Sequence, residues 1–114
     1  MTAYAIAVLR PHAGPPHPEV LEYIERVQGT FAPYGGRFLS HGKRSEYVEG
    51  EWLGDMVMVG FPDLAHAHEW YASAAYQDIV RLRTDHIPGE MVFVEGVEED
   101  YDAGRTAAAM REAP

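Results

Sequence analysis

No cysteine occurs anywhere in the chain. Thiol catalysis, thiolate zinc sites and thiolate-held clusters are thereby excluded, and no disulfide can staple the fold. Lysine is nearly absent: Lys43 is the single one, and with eight arginines it makes nine basic residues against eighteen acidic. The net charge of −9 with neutral histidines argues against nucleic acid as a partner, because Lys and Arg that neutralise phosphates supply most of such affinity. It argues equally against docking on anionic membranes. Long apolar runs are missing too. No uninterrupted one is longer than Met56 to Pro62, which falls far short of the roughly 20 residues a membrane helix needs. The opening MTAYAIAVLRPH lacks the basic start and cleavage site of a secretory signal, so the cytoplasm is the expected location.

What remains is ordinary for one small globular domain. Of 114 residues, 46% are hydrophobic and 24% charged, which excludes disordered and collagen-like classes. A chain of this length buries about two-thirds of its unfolded surface and needs no metal to hold it together.

Periodicity divides the chain into six elements. Residues 2–9 read as a strand in which Tyr4, Ile6 and Val8 alternate with Ala3, Ala5 and Ala7. A Pro- and Gly-rich loop follows, and Pro18 with Glu19 suits the first turn of a helix whose Val20, Ile24, Val27 and Phe31 recur at helical spacing. Pro33 and the Gly35–Gly36 pair end it. Residues 37–41 and 45–49 read as strand around Gly42, residues 49–54 as a turn, and residues 55–61 as strand again. Asp63 is the expected N-cap of a second helix with Leu64, Ala67, Tyr71 and Ala74 on its buried stripe. Ser73 is placed to cap a further helical piece in which Tyr76, Ile79, Val80 and Arg83 share a side. Pro88–Gly89 breaks that piece, and residues 91–97 form the last strand. From about Glu98 the chain is acidic, then Ala-rich, with no partner pattern. We therefore expect one domain over residues 1–97 and a tail over 98–114.

The order βαββαβ is the ferredoxin-like arrangement, an α+β fold with a four-stranded antiparallel sheet and two helices on one face. The strands, however, are apolar on both faces: Met56 and Met58 lie opposite Val57, Val59 and Phe61, and Met91 and Phe93 lie opposite Val92 and Val94. Two helices cover one face only. An identical sheet is the simplest cover for the other, which predicts a homodimer.

Several runs carry a resemblance. YGGRFLSHG (34–42), EGEW (49–52), GFPDLAHAHEWYASAAYQDIVRLR (60–83) and the closing VEG (94–96) are similar in order and spacing to the domain of unknown function 1330 family, over roughly residues 2–97. The resemblance implies a dimeric α/β barrel, in which two ferredoxin-like subunits join their sheets. Here Asp63 stands where the family has Ser, Ala74 where it has Pro, and His41 and Lys43 where Arg or Gly is usual. Barrel relatives include monooxygenases, cyclases and isomerases that need no cofactor. The expected function is therefore a cofactor-independent enzyme doing acid/base chemistry on a small aromatic or polyketide-like carbonyl compound. The alternative is a non-catalytic dimer that binds a small organic molecule or serves in stress response.

The site candidates come from residue chemistry. Arg37 on a strand and Arg83 on the inner side of a helix are placed to clamp an anionic oxygen; the competing reading pairs them with Glu49, Glu69 or Glu90. His41 is the candidate general base, histidine having an unperturbed pKa of about 6.5. It shares a strand face with Arg37 if no bulge intervenes, about 13 Å away at a ~3.3 Å rise per residue. Tyr76 is the candidate proton donor. Tyr34, Trp70, Tyr71 and Trp52 are the candidate substrate-contacting aromatics, with core packing the competing reading for Trp70 and Tyr71. No metal is expected, since His66 and His68 stand roughly 200° apart on a helix and no ligand set has metal spacing. An axial haem role for His86 has nothing else to support it. Phosphate loops, Gly-x-Ser-x-Gly and His-Glu-x-x-His are all missing.

Overall fold

Residues 1–43, 45–51 and 54–114 are described by the structure, a computed structural model. Its elements are β1 (Ala3–Leu9), α1 (Pro18–Phe31), β2 (Arg37–His41), β3 (Asp55–Phe61), α2 (Leu64–Ala72), α3 (Ala74–Gln77), α4 (Val80–Thr84), β4 (Gly89–Glu95) and α5 (Ala103–Glu112). The strands form one antiparallel sheet in the order β2-β3-β1-β4. This is the ferredoxin-like α+β topology, with β1 and β3 central and helices α1 to α4 on one face.

Local chemistry sets the boundaries. His17 caps α1 by accepting the Glu19 amide on Nδ1 at 3.0 Å, and Pro18 occupies the first turn. Asp63 caps α2 through the His66 amide at 2.9 Å. Ser73, extended at ψ 147°, ends α2 and starts α3: its hydroxyl donates to the Trp70 carbonyl at 2.6 Å and accepts the Tyr76 amide at 3.2 Å. The second helix is thus broken into three short pieces, and Tyr76, Ile79 and Arg83 all end up buried.

Four expectations change. Residues 45–49 form no strand, because Gly42 turns out of the sheet at φ 63° and β2 is an edge strand with nothing beyond to hold an extension. The last strand spans residues 89–95 rather than 91–97, since it pairs with β1 from Leu9↔Gly89 to Ala3↔Glu95. On α2 the buried residues are Ala67 and Trp70, while Tyr71 and Ala74 are exposed. The stripe steps by three to bury the largest ring, and Ser73 re-aims the chain before Ala74. The tail, for which no element was expected, carries α5 in its Ala-rich part, capped by Asp102 on the Gly104 amide and exposed along its whole length.

The core lies between α1, the broken second helix and the sheet, and its largest fully buried side chains are Trp70, Tyr76, Phe31, Phe61 and Ile79. Each contributes roughly 1.5–3 kcal/mol by burial. Trp70 donates its N–H to the Thr30 hydroxyl at 3.0 Å, which in turn donates to the Val27 carbonyl at 2.6 Å, so the indole leaves no orphan donor. Gly36 allows α1 to close onto the sheet: a Cβ there would stand 2.8 Å from the Phe61 ring and 3.0 Å from Phe31. We expect Gly36→Ala to destabilise the fold by about 1–3 kcal/mol, read as a lowered urea midpoint with unchanged slope. An unchanged midpoint contradicts this packing.

Candidate functional site

Strand β1 decides where space is left. Residues paired across neighbouring antiparallel strands point to the same face. Ala5 pairs with Val59 and Phe93, and Ala7 with Val57 and Met91, so the alanines face the helices while Tyr4, Ile6 and Val8 face away. Three alanines on the inner face of a central strand, Ala3, Ala5 and Ala7, cannot fill the gap below α1. A cavity of about 260 Å³ opens there between α1 and the sheet. Its wall is almost wholly apolar; the lining side chains with polar atoms are Tyr23, His41, Asp55, Trp70 and Arg83. His41 and Asp55 are exposed and sit at the mouth with Pro11 and Pro16 of the Pro-rich loop. Arg83 is 7% exposed and closes the inner end.

The inner end is a chain of polar atoms in an apolar wall. Arg83 Nη2 donates to the Tyr76 hydroxyl at 3.5 Å, and the Tyr76 and Tyr23 hydroxyls are 3.0 Å apart. The guanidinium carbon stands 5.5 Å from the centroid of the Tyr23 ring, a cation–π distance. Among the described residues, Arg83 Nε has no hydrogen-bond partner and no carboxylate reaches Arg83 within ion-pair distance. Burial pushes the Tyr23 phenol well above the usual tyrosine range, with Tyr76 adding to the shift and Arg83 opposing it. Burial works to lower the Arg83 pKa, but the phenol oxygens of Tyr23 and Tyr76 outweigh it and the net shift is upward. Arg83 is therefore a cation, and Tyr23 a neutral hydroxyl, throughout the working range.

The sequence candidates divide around this cavity. Arg83, His41 and Trp70 line it, and Tyr76 stands directly behind Arg83. Arg37 does not join them. A bulge intervenes: Phe38 pairs with Val59 and Ser40 with Met58, leaving Leu39 as the extra residue. His41 consequently shares the helix-side face with Phe38, on which its ring stacks at 4.3 Å, while Arg37, paired with Gly60, faces the other side. Neither Arg37 nor Arg83 pairs with Glu49, Glu69 or Glu90 among the described residues. Tyr71 lines a separate shallow depression with Met91 and Phe93. Tyr34 packs against the core away from the cavity. Trp52 lies outside the described residues. Tyr23 was missed, although Val20, Tyr23, Val27 and Thr30 form a continuous three-and-four stripe on α1 that marks a tyrosine facing inward.

One donor cluster also escaped linear spacing. His17, Glu19 and His86 bring ligand atoms within 4.8 Å of one another. The His17 and His86 rings stack at 3.7 Å and 15°, and Glu19 meets His86 Nε2 at 2.6 Å. Near-parallel stacked rings aim their lone pairs side by side rather than at one point, and His17 Nδ1 already caps α1. The arrangement fits a latch that fixes the end of the Pro-rich loop, with the Glu19 carboxyl held below its ordinary range chiefly by His86. Two further histidines are occupied similarly: His66 holds Asp63 at 2.6 Å, and His68 lies edge-on to Phe93.

The family model for a domain of unknown function, DUF1330, matches residues 2–97. The chain belongs to that family. Solved structures share its fold at low identity. A dimeric ferredoxin-like protein of unknown function from Jannaschia sp. has a TM-score of 0.65 at 14% identity, over 84% of this chain and 100% of that one. A protein of unknown function from Rhodopseudomonas palustris has a TM-score of 0.63 at 15% identity, over 85% and 83%. SnoaB, a cofactor-independent oxygenase from Streptomyces nogalater, has a TM-score of 0.52 at 15% identity, over 89% and 96%. No curated protein matches the chain.

The raised Tyr23 pKa has a stability consequence. A folded-state pKa above the unfolded one contributes stability that is complete below about pH 10 and is lost as pH rises toward the folded value. Tyr23→Phe should cost about 1 kcal/mol at pH 7, and its deficit relative to wild type should shrink above about pH 10. Urea unfolding at pH 7, 9 and 10.5 reads this; a deficit independent of pH contradicts the assignment.

Proposed function

We propose that this DUF1330 protein is a homodimeric, cofactor-independent enzyme that performs acid/base chemistry on a small, apolar carbonyl compound bound in the cavity between α1 and the sheet. The observation that carries this reading is the polarity of the cavity, with His41 at the solvent end and the buried, carboxylate-free Arg83 at the other. A purely structural role would fill the space, yet Trp70 only forms part of the wall and Tyr71 points into a different depression.

In this scheme the ligand's carbonyl oxygen lies at Arg83. His41 removes a proton from the carbon next to the carbonyl, and the electron pair moves onto the oxygen as an enolate. Arg83 stabilises that charge inside an apolar wall, where a fixed cation acts far more strongly than in water. Where a C=C bond extends the enolate, returning the proton from His41 to the far carbon completes an isomerisation. Where a second carbonyl is in reach, attack of the enolate carbon on it, with the new alkoxide taking the proton from His41, completes a cyclisation. The fold shared with SnoaB, itself a cofactor-independent oxygenase, is compatible with this class of chemistry.

The dimer rests on the opposite face of the sheet. Tyr4, Ile6, Val8, Met56 and Met58 lie there with Val92 at 52% exposure and Val94 at 44%. An uncovered apolar sheet of this kind calls for a second layer, and a second copy supplies one. Val92→Lys should convert the dimer to a monomer at micromolar concentration in sedimentation; a wild-type monomer contradicts the dimer. For the chemistry, proton exchange in D2O at the carbon beside the carbonyl of small aromatic β-keto compounds, followed by NMR, should be accelerated by the wild type and slowed about 10²–10⁴-fold in His41→Ala. Equal rates in both contradict the role of His41.

A further inference from the structure

We infer that the cavity is a binding site for apolar monocarboxylates, with the carboxylate held by Arg83 and Tyr23 at the inner end and the apolar body filling the space above the β1 alanines. This rests on the cavity being the ligand site, as proposed above, and adds that a carboxylate, a stable counterpart of the enolate oxygen placed at Arg83 there, occupies the same end of the cavity.

The first support is charge placement. The chain has twice as many acidic as basic residues, yet none of the described carboxylates is within ion-pair distance of its most deeply buried arginine. An unpaired buried guanidinium is costly, and replacing such a group by an apolar one is often stabilising. A fold with that many carboxylates gains nothing from leaving this one cation open unless an anion arrives from outside.

The second support is the direction of the hydrogen bonds. A guanidinium only donates, so the 3.0 Å contact between the Tyr76 and Tyr23 hydroxyls uses the proton of one phenol and leaves that of the other. The left-over proton has no acceptor in that chain, and since Tyr23 is the phenol that lines the cavity, an anion there draws it onto Tyr23. Arg83 Nε is the second donor without an acceptor among the described residues. With the guanidinium carbon 5.5 Å from the Tyr23 ring centroid, cation and phenol belong to one end of the cavity, and a carboxylate offers two oxygens to them. Tyr23 stays protonated because burial holds its pKa high.

The rest of the wall limits the ligand beyond its carboxylate. Ala5, Ala7, Val27 and Val57 offer no polar atom from their side chains, so a second charge along the ligand would be buried without a partner. A phosphate-type dianion is disfavoured for the same reason. A volume of about 260 Å³ lies just under the roughly 300–1,000 Å³ of drug-sized pockets, which suits one or two fused rings.

The test uses 2-naphthoate, its neutral isostere 2-naphthamide and 2-naphthyl phosphate as probes, by calorimetry and thermal shift on the full chain. Naphthoate should bind saturably and raise the melting temperature, with the amide and the phosphate each weaker by roughly 10- to 100-fold. Arg83→Met should erase the preference for naphthoate over the amide while the unliganded variant melts at the same or a higher temperature. Ala7→Leu, which leaves Arg83 untouched and fills the cavity, should abolish binding of all three. Equal affinity for acid and amide, undiminished naphthoate binding by Arg83→Met or Ala7→Leu, or no naphthoate binding at millimolar concentration would each overturn the inference. The proton-exchange assay separates the two proposals: naphthoate selectivity without any His41-dependent proton exchange would leave the carboxylate site standing and the enzyme reading refuted.

Discussion

The alternation along β1 is the constraint on which the rest of the molecule depends. Ala3, Ala5 and Ala7 face the helices, and Tyr4, Ile6 and Val8 face outward. A lone sheet covered on one side would place its large residues inward and its small or polar ones outward. The inversion has two effects. The small inward residues keep α1 from sealing onto the sheet, and the large outward residues leave an apolar surface that a second sheet would cover. The cavity is therefore built into the central strand and is not a flaw of packing elsewhere, where Gly36, Phe31 and Phe61 close tightly.

Within that cavity, Arg83 concentrates the electrostatics. Its surroundings are two phenols and a tryptophan-lined wall rather than carboxylates. The broken second helix makes this possible. A continuous helix from Leu64 to Thr84 would carry both residues on a phase set by α2, whereas the Ser73 cap restarts the helix so that Tyr76 and Arg83, seven residues apart, are buried together. A buried guanidinium without a carboxylate partner is costly, and perturbed groups of this kind cluster at functional sites.

Much of this was legible in the sequence. The six elements, their order and the Asp63 and Ser73 caps come from periodicity and capping chemistry, which are local. The inward role of Arg83 was legible too, because Tyr76, Ile79 and Arg83 share a helical side. What failed was non-local. The bulge at Leu39 has no signature in RFLSH, yet it decides that His41 faces the cavity and Arg37 does not. The choice between Trp70 and Tyr71 turned on which aromatic the core admitted, and both fit a helical stripe. Tyr23 reads as one more apolar helix position until its hydroxyl is seen against Tyr76. His17, Glu19 and His86 meet only because α1 and α4 pack side by side, at a sequence separation that no ligand spacing reveals.

Membership of the family gives the fold and leaves the chemistry to the site, since one fold hosts many activities. The central claim is that Arg83 is a buried cation waiting for an external anion. The most direct test is the arginine Nε–Hε region of a ¹⁵N–¹H spectrum of the unliganded protein, with Arg83→Met as the assignment control. The account predicts one Hε resonance that is protected from solvent exchange, disappears in Arg83→Met and moves downfield when 2-naphthoate is added. A signal for Arg83 that exchanges as fast as those of the surface arginines, or that stays in place at saturating 2-naphthoate, would contradict it.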